Sequence, residues 1–440
     1  MSILVGMVRL TRVEQQARTR SAVLAAAAEE FREHGFAEAK VDRIAARAEL
    51  TRGAVYSNFP SKRSLYLAVL LEAERPLTPY PAMMDMDGPA DAAGEFARAW
   101  LDRLPLAGDS PADGRLRSQS LAGVFEDEPG RTAMTETAHL EALLLATVLD
   151  HSVRRAALLL TMLHGARDLA RSAPGFGDPF DVVAACRHLA AMDVADVWDP
   201  PHLPFVRPAS PVAEAWSPPE GLLDALTGEP ADLTADGLVT VLGSARLSAA
   251  EEAVRAAERM PPSEKAQPSI FGPYVSPANT SPANTSPANT SPANTSPANT
   301  SPANTSPDRS SPAGSDRVAA SGKAGPRQPS VTIAVVTADP AETGALIRLR
   351  IAELVGCLRA SGAVTAGQGM AGQGTAGQAA TFPFRLVIDE EGAVAAAIGA
   401  EVGEGTETAV RIRSGEIVAR ASGRGASYAA AGLVTEGESR

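Results

Sequence analysis

Cysteine is nearly absent from this chain. Only Cys186 and Cys357 occur in 440 residues, far apart and with no secretory signature before them, so no disulfide framework is expected and the compartment reads as reducing. Aromatic residues make up 4%, while alanine is abundant, a bias of a GC-rich bacterial genome more than of any chemistry. Long apolar runs are missing as well. The opening SILVGMV follows no basic residue and is too short for a signal or a membrane span, and no later stretch reaches the roughly 20 apolar residues a bilayer requires. Nor is there a surplus of positive charge: the formal net charge of -12 excludes a general nucleic-acid coat.

What is present is enough for two or three domains with cores of their own, at 45% hydrophobic residues. The charge is unevenly spread. Residues 1–75 hold 12 Lys/Arg against 9 Asp/Glu, which leaves -15 for the remainder. A mildly basic head on an acidic body suits a protein that touches nucleic acid with one end.

That head opens with an alanine-rich helix expected over Glu14 to His34, with Val23, Leu24, Ala27 and Phe31 on one face and Gly35 as its stop. A short helix follows, in which Ile44, Ala45 and Ala48 form a buried stripe while Asp42, Arg43 and Arg47 point away. Glu49 and Leu50 make a tight turn. Thr51 then caps a two-turn helix, Arg52 to Asn58 (RGAVYSN), with Val55 and Phe59 directed inward. Gly53 and Ala54 take away bulk that would hold the backbone off a groove, Arg52 can reach guanine edges, and Tyr56 and Ser57 offer hydroxyls to phosphates. Ser61 caps a further helix, whose N-terminal amides and Lys62 favour a phosphate. This is the layout of a helix-turn-helix reader of DNA.

AAAAEEFREHGF (residues 25–36), IAARA (residues 44–48) and TRGAVYSNFPSK (residues 51–62), followed by an apolar helix, resemble the DNA-binding domain of TetR-family transcriptional regulators. The resemblance implies DNA contacts from Thr51, Arg52, Ala54, Tyr56 and Lys62, with Arg52 reading bases and the others positioning. Val41 departs from the family, which often has a capping Thr or Ser there. The head is assigned to residues 14–75.

Residues 90–198 return to helical periodicity, with five helices expected over 92–104, 116–125, 132–149, 153–170 and 180–197. In the TetR-like reading this is the effector-binding and dimerisation domain. Leu140 to Leu149 and Ala156 to Leu169 look suited to a homodimer interface, and the operator should be a rough palindrome. Phe96, Trp100, Phe125 and Met162 could line a cavity for a small-molecule effector, although aromatics at helical spacing are more often plain core. Glu136, His139, Glu141, His151 and His164 form no tight ligand cluster, so neither a metal nor another cofactor is expected. Cys186 reads as a small buried hydrophobe.

Seven prolines in residues 199–220 forbid helix and sheet interiors and mark this stretch as a linker. Strand and helix candidates alternate beyond it: 238–242, 248–260, 331–337 and 342–360, then FPFRLVIDEEGAVAAAIGA, a hairpin turning at Ser414-Gly415, and a closing helix. Two low-complexity inserts interrupt this order. Six copies of SPANT fill residues 276–305, a disordered spacer of about 30 Å as coil or about 90 Å as polyproline; a glycine-rich repeat fills 366–378. The Asn-Thr-Ser sequons within SPANT read as accidental.

The order of elements, and FPFRLVIDEEGAVAAAIGA followed by TAVRIRSGEIVARASG, resemble the thioredoxin-like fold of redoxins over residues 222–434. Where a redoxin carries its reactive cysteine, this chain has residues 243–248, GSARLS; where the family has a cis-proline, it has Glu407. Cys357, late in an amphipathic helix, has nothing nearby to lower its pKa. The whole then reads as a multi-domain chain: an all-α TetR-like part, followed by an α/β thioredoxin-like domain with disordered inserts and no enzyme activity. It is expected in the bacterial cytoplasm at the nucleoid, as a ligand-responsive repressor that binds a double-stranded DNA operator as a homodimer. The alternatives are a thiol-linked protein acting through its C-terminal domain and a DNA-tethered scaffold.

Overall fold

A computed structural model describes residues 11–74, 88–104, 121–173, 175–195, 198–260, 329–364 and 382–433. All of these fall in one compact unit; the SPANT repeats and the glycine-rich repeat lie outside the described residues.

The head is built from α1 (Arg12–Glu38), α2 (Val41–Arg47), α3 (Arg52–Asn58) and α4 (Lys62–Ala73). Thr11 and Glu14 form a capping box at the start of α1. Gly35, at φ 69°, breaks that helix, as a residue without Cβ can, and the chain resumes one more turn to Glu38. Arg43 and Arg47, expected to face solvent, are instead tied to α1. Arg43 Nε donates to the buried Glu30 at 2.6 Å and Arg47 Nη1 to Glu33 at 3.1 Å. Phe31, Phe36 and Tyr66 close the core, with Tyr66 4.9 Å and 5.1 Å from the two phenyl centroids.

A helical region follows: α5 (Pro89–Leu101), α6 (Glu128–Ala146), α7 (Val153–Ser172) and α8 (Pro179–Ala191). Residues 116–120 of the helix expected over 116–125 lie outside the described residues, and the rest forms only a single turn, Leu121–Gly123. α5 packs on α8, and α6 on α7.

The C-terminal part carries a six-stranded sheet in the order β1-β6-β5-β2-β3-β4. β2 (Gly237–Gly243), β3 (Ser330–Val336) and β4 (Arg385–Ile388) run parallel; β5 (Glu407–Arg413) and β6 (Glu416–Ser422) run antiparallel. The linking helices are α9 (Ala249–Ala257), α10 (Ala345–Ala360) and α11 (Ala393–Ile398), and α12 (Ala426–Gly432) closes the chain. One expectation fails here. Residues 199–220 hold β1 (Ser210–Ala215), which pairs with β6 at the sheet edge, where Pro211 withholds no ladder bond from a central strand.

α10 holds the molecule together. Rather than showing one wet face, it is buried along most of its length. Ala345, Leu346 and Leu349 complete the core of the head, while Ile347, Ile351, Leu354 and Leu358 enter the core shared by the sheet and the helical region. Charges are carried inside with it. Arg350, buried, grips Glu141 of α6 through two bonds of 2.9 and 2.7 Å and donates to His164 Nε2 of α7 at 2.8 Å. Burial, with Arg350 and Arg167 nearby, pushes the His164 pKa down to about 3, so the ring is neutral and its Nε2 accepts. Glu353 neighbours Arg167 at 3.5 Å and Arg103 at 3.8 Å, and Arg103 pairs with Glu74 just beyond α4 at 2.6 Å. Such buried pairs add little net stability, but they penalise every packing that separates them.

Candidate nucleic-acid interface

α2, the turn and α3 project from the head as a unit. Glu49 takes φ 55°, and the Leu50 N–H donates to Ala45 O at 2.9 Å, which closes the turn and brings α3 across α2. Thr51 caps α3, its Oγ1 accepting from the Ala54 N–H at 3.2 Å. Lys40, not Val41, is the N-cap of α2 and gives no side-chain bond. Val55 and Phe59 are buried at 1% and 3% and root α3 in the core, so that the other face must look outward.

On that face lie Thr51, Arg52, Gly53, Tyr56 and Ser57, all exposed, with Ala54 half-buried. Arg52 reaches back to Asp42 of α2, Nη1 to Oδ1 3.4 Å, and lies over the Tyr56 ring, 5.5 Å from its centroid. A phenol hydrogen bond and the Asp42 charge raise its pKa, so the guanidinium stays charged. The Asp42 link is exposed and long, hence cheap to exchange for a base edge. A Cβ at Gly53 would meet only Thr51 Oγ1, at 3.8 Å. Nothing inside the protein demands glycine there. Ser57 Oγ donates to Ala54 O at 2.9 Å and keeps its lone pairs turned to solvent.

Lys62 is placed differently from the expectation. Its Nζ donates to Ala37 O at 3.0 Å and sits 4.8 Å from the Phe36 centroid, and burial lowers its pKa. It fastens α4 to the end of α1. The N-terminus of α4 is also already engaged: Ser61 Oγ donates to Glu342, and Arg63 donates to Glu342 at 2.9 Å and to Asp127 at 2.5 Å. Glu342 comes from the turn Pro340–Gly344 ahead of α10, 279 residues beyond Arg63. Arg20 of α1, likewise unforeseen, donates to Asn58 O at 3.2 Å and stacks on Phe59 at 4.3 Å, holding the end of α3.

The residues expected to line an effector cavity divide. Phe96 and Trp100 are fully buried against each other, centroids 6.0 Å apart, with His164 edge-on to Trp100 at 5.0 Å, and Met162 packs on the same core. Phe125 belongs to the core of the head, under Arg63 at 4.8 Å. Glu136 caps Ser248, and Glu141 and His164 serve Arg350. Among the described residues, Glu30, Glu33 and His34 gather within 4.8 Å, but Arg43 and Arg47 already occupy those carboxylates.

Two short helices crossing at a tight turn, the second rooted by two apolar side chains and offering an arginine, a tyrosine and small residues outward, define a helix-turn-helix DNA-binding head. Residues 23–69 match the family of bacterial regulatory proteins called the tetR family, and form a TetR-type DNA-binding domain. No curated protein matches the chain. Similar solved structures include a transcriptional regulator from Rhodococcus sp. Rha1, 23% identical over 39% of this chain and 94% of that one, with a TM-score of 0.29. Another is full-length TylP, a TetR regulator from Streptomyces fradiae, 24% identical over 40% and 87%, with a TM-score of 0.26.

Proposed function

We propose that this chain is a DNA-binding transcriptional regulator that binds a palindromic operator as a homodimer and represses until a small molecule releases it. The outward face of α3 carries the proposal. Arg52 reads a base edge, Gly53 and Ala54 let the backbone approach, and Thr51, Tyr56 and Ser57 position the helix on phosphates. Lys62 adds charge from behind rather than a direct contact, since its ammonium is held at Ala37.

Dimerisation is assigned to α7 and α8. The segment 140–149, also expected at the interface, is spent inside the chain: Leu140, Leu144, Leu145 and Leu149 are each 0% exposed. On α7, Leu158 and Leu169 stay 46% and 41% exposed, and Phe180 at the start of α8 and Met192 just past its end are exposed as well. Exposed apolar side chains on two adjacent helices are what a twofold four-helix contact uses. An effector for this region would have to part the packed core that Phe96 and Trp100 form with Met162.

The C-terminal part is read as a redoxin-type module kept for assembly rather than catalysis. Its parallel β2, β3 and β4 and the antiparallel hairpin support that reading. In residues 243–248, where the redoxin reading would set the reactive cysteine, Ser244 is buried, and Glu407, which that reading sets where the family has its cis-proline, is buried, paired with Arg246 and accepting from the Gly425 N–H. Burial pushes both the Cys357 and the Cys186 thiols up to about 12, which disfavours a thiolate.

Selection of binding duplexes from a random pool by the full chain tests the proposal. An enriched inverted repeat with half-sites about 34–36 Å apart is the expected result; a pool without a consensus would overturn it.

A further inference from the structure

A groove of about 420 Å³ runs between the head and α10, within the range of small-molecule sites, about 300–1,000 Å³. Its lining includes Leu24 of α1, Phe59, Ala68 and Leu71 of α4, Ala341 of the turn before α10 and Ala345 at the start of α10. Polar groups converge from both sides. Arg20 enters from the head and Arg348 from α10, with Glu72 the acid among the lining residues. Arg20 is exposed and spends one Nη on Asn58 O, so its outer face can take a further acceptor. Arg348 is half-buried, donates to Pro340 O at 3.5 Å and pairs with the exposed Glu390, a partner that an acidic ligand can displace.

We propose that this groove binds a small amphipathic organic anion, its apolar body against Ala68 and Leu71 and its acidic group between Arg20 and Arg348. Such a ligand touches the head and the C-terminal part at once. Because Arg20 also holds the Asn58 carbonyl at the end of α3, an anion that draws Arg20 away loosens the last turn of that helix. The site is distinct from the core around Trp100. Its occupation can be measured without DNA, so its failure would leave the operator reading untouched.

The test is a fluorescence titration of the full chain with anilinonaphthalenesulfonate, a small aromatic anion, and with phenylnaphthylamine, its uncharged counterpart. One saturable site per chain for the anion is expected, weakened about tenfold in Arg20→Gln by loss of a charge-assisted bond. Ala68→Leu, which fills the groove without touching a charge, should remove it while the circular dichroism and the thermal transition stay those of the wild type. The uncharged dye should bind about tenfold more weakly than the anion. Wild-type binding in both variants, equal binding of the two dyes, or the lack of any saturable site would overturn the proposal.

Discussion

At the scale of single residues, Gly53 separates what folding needs from what DNA needs. Glycine inside a helix costs up to about 1 kcal/mol relative to alanine, and at Gly53 a methyl group would meet no obstacle within the chain. Gly53→Ala should therefore raise thermal stability by a few tenths to about 1 kcal/mol while weakening operator binding. A calorimetric scan beside a binding titration checks this, and unchanged affinity would show that close backbone approach is not needed. His164 gives a second prediction. Its pKa is depressed to about 3 in the fold, against about 6.5 in an unfolded chain, so on acidification the unfolded state takes up the proton first. The contribution of neutral His164 is complete above about pH 6.5 and is lost as pH falls towards 3, up to about 5 kcal/mol. The melting temperature should drop through that window, and less steeply in His164→Gln; parallel curves would contradict the assignment. The outward residues of α3 were legible in the sequence because local rules, a cap and an i, i+4 pair, fix them. The Asp42 partner of Arg52 and the withdrawal of Lys62 onto Ala37 were not, because both depend on how helices meet.

At the scale of elements, α10 decides most. The helix was legible from its periodicity, but its role was not: an amphipathic reading gives it one wet face, and the fold buries that face in the head. No pattern within residues 345–360 can announce that Leu346 fills a space left by α4, since the two are brought together only by tertiary packing. Leu346→Ala should cost about 2–5 kcal/mol and speed amide hydrogen exchange in α4 as well as in α10. Fast exchange confined to α10 would show that the head closes its core alone. β1 teaches the same lesson in reverse. Proline content identified residues 199–220 as no place for a central strand, which holds, but an edge strand asks only that one side of the backbone pair.

At the scale of the whole molecule, the acidic body and basic head were legible from charge alone, and the alternation of strands and helices from period. Which apolar surface stays free was not. Leu140–Leu149 and Ala156–Leu169 both look suited to an interface in sequence, and only packing shows that the first is used up within the chain while Leu158 and Leu169 of the second stay exposed. If the proposed homodimer forms through α7 and α8, Leu158→Asp should be monomeric in sedimentation equilibrium where the wild type is dimeric, without a lower melting temperature; a dimeric variant would move the interface elsewhere. The measurement that bears most directly on the central claim is fluorescence anisotropy on duplex DNA from upstream of the chain's own coding region, over a salt series, with Arg52→Ala and Tyr56→Ala beside the wild type. The account predicts salt-dependent, specific binding in which Arg52→Ala costs about 1–3 kcal/mol and relaxes sequence preference, while Tyr56→Ala weakens all sequences alike. Equal, weak binding of all three proteins to any duplex would contradict it.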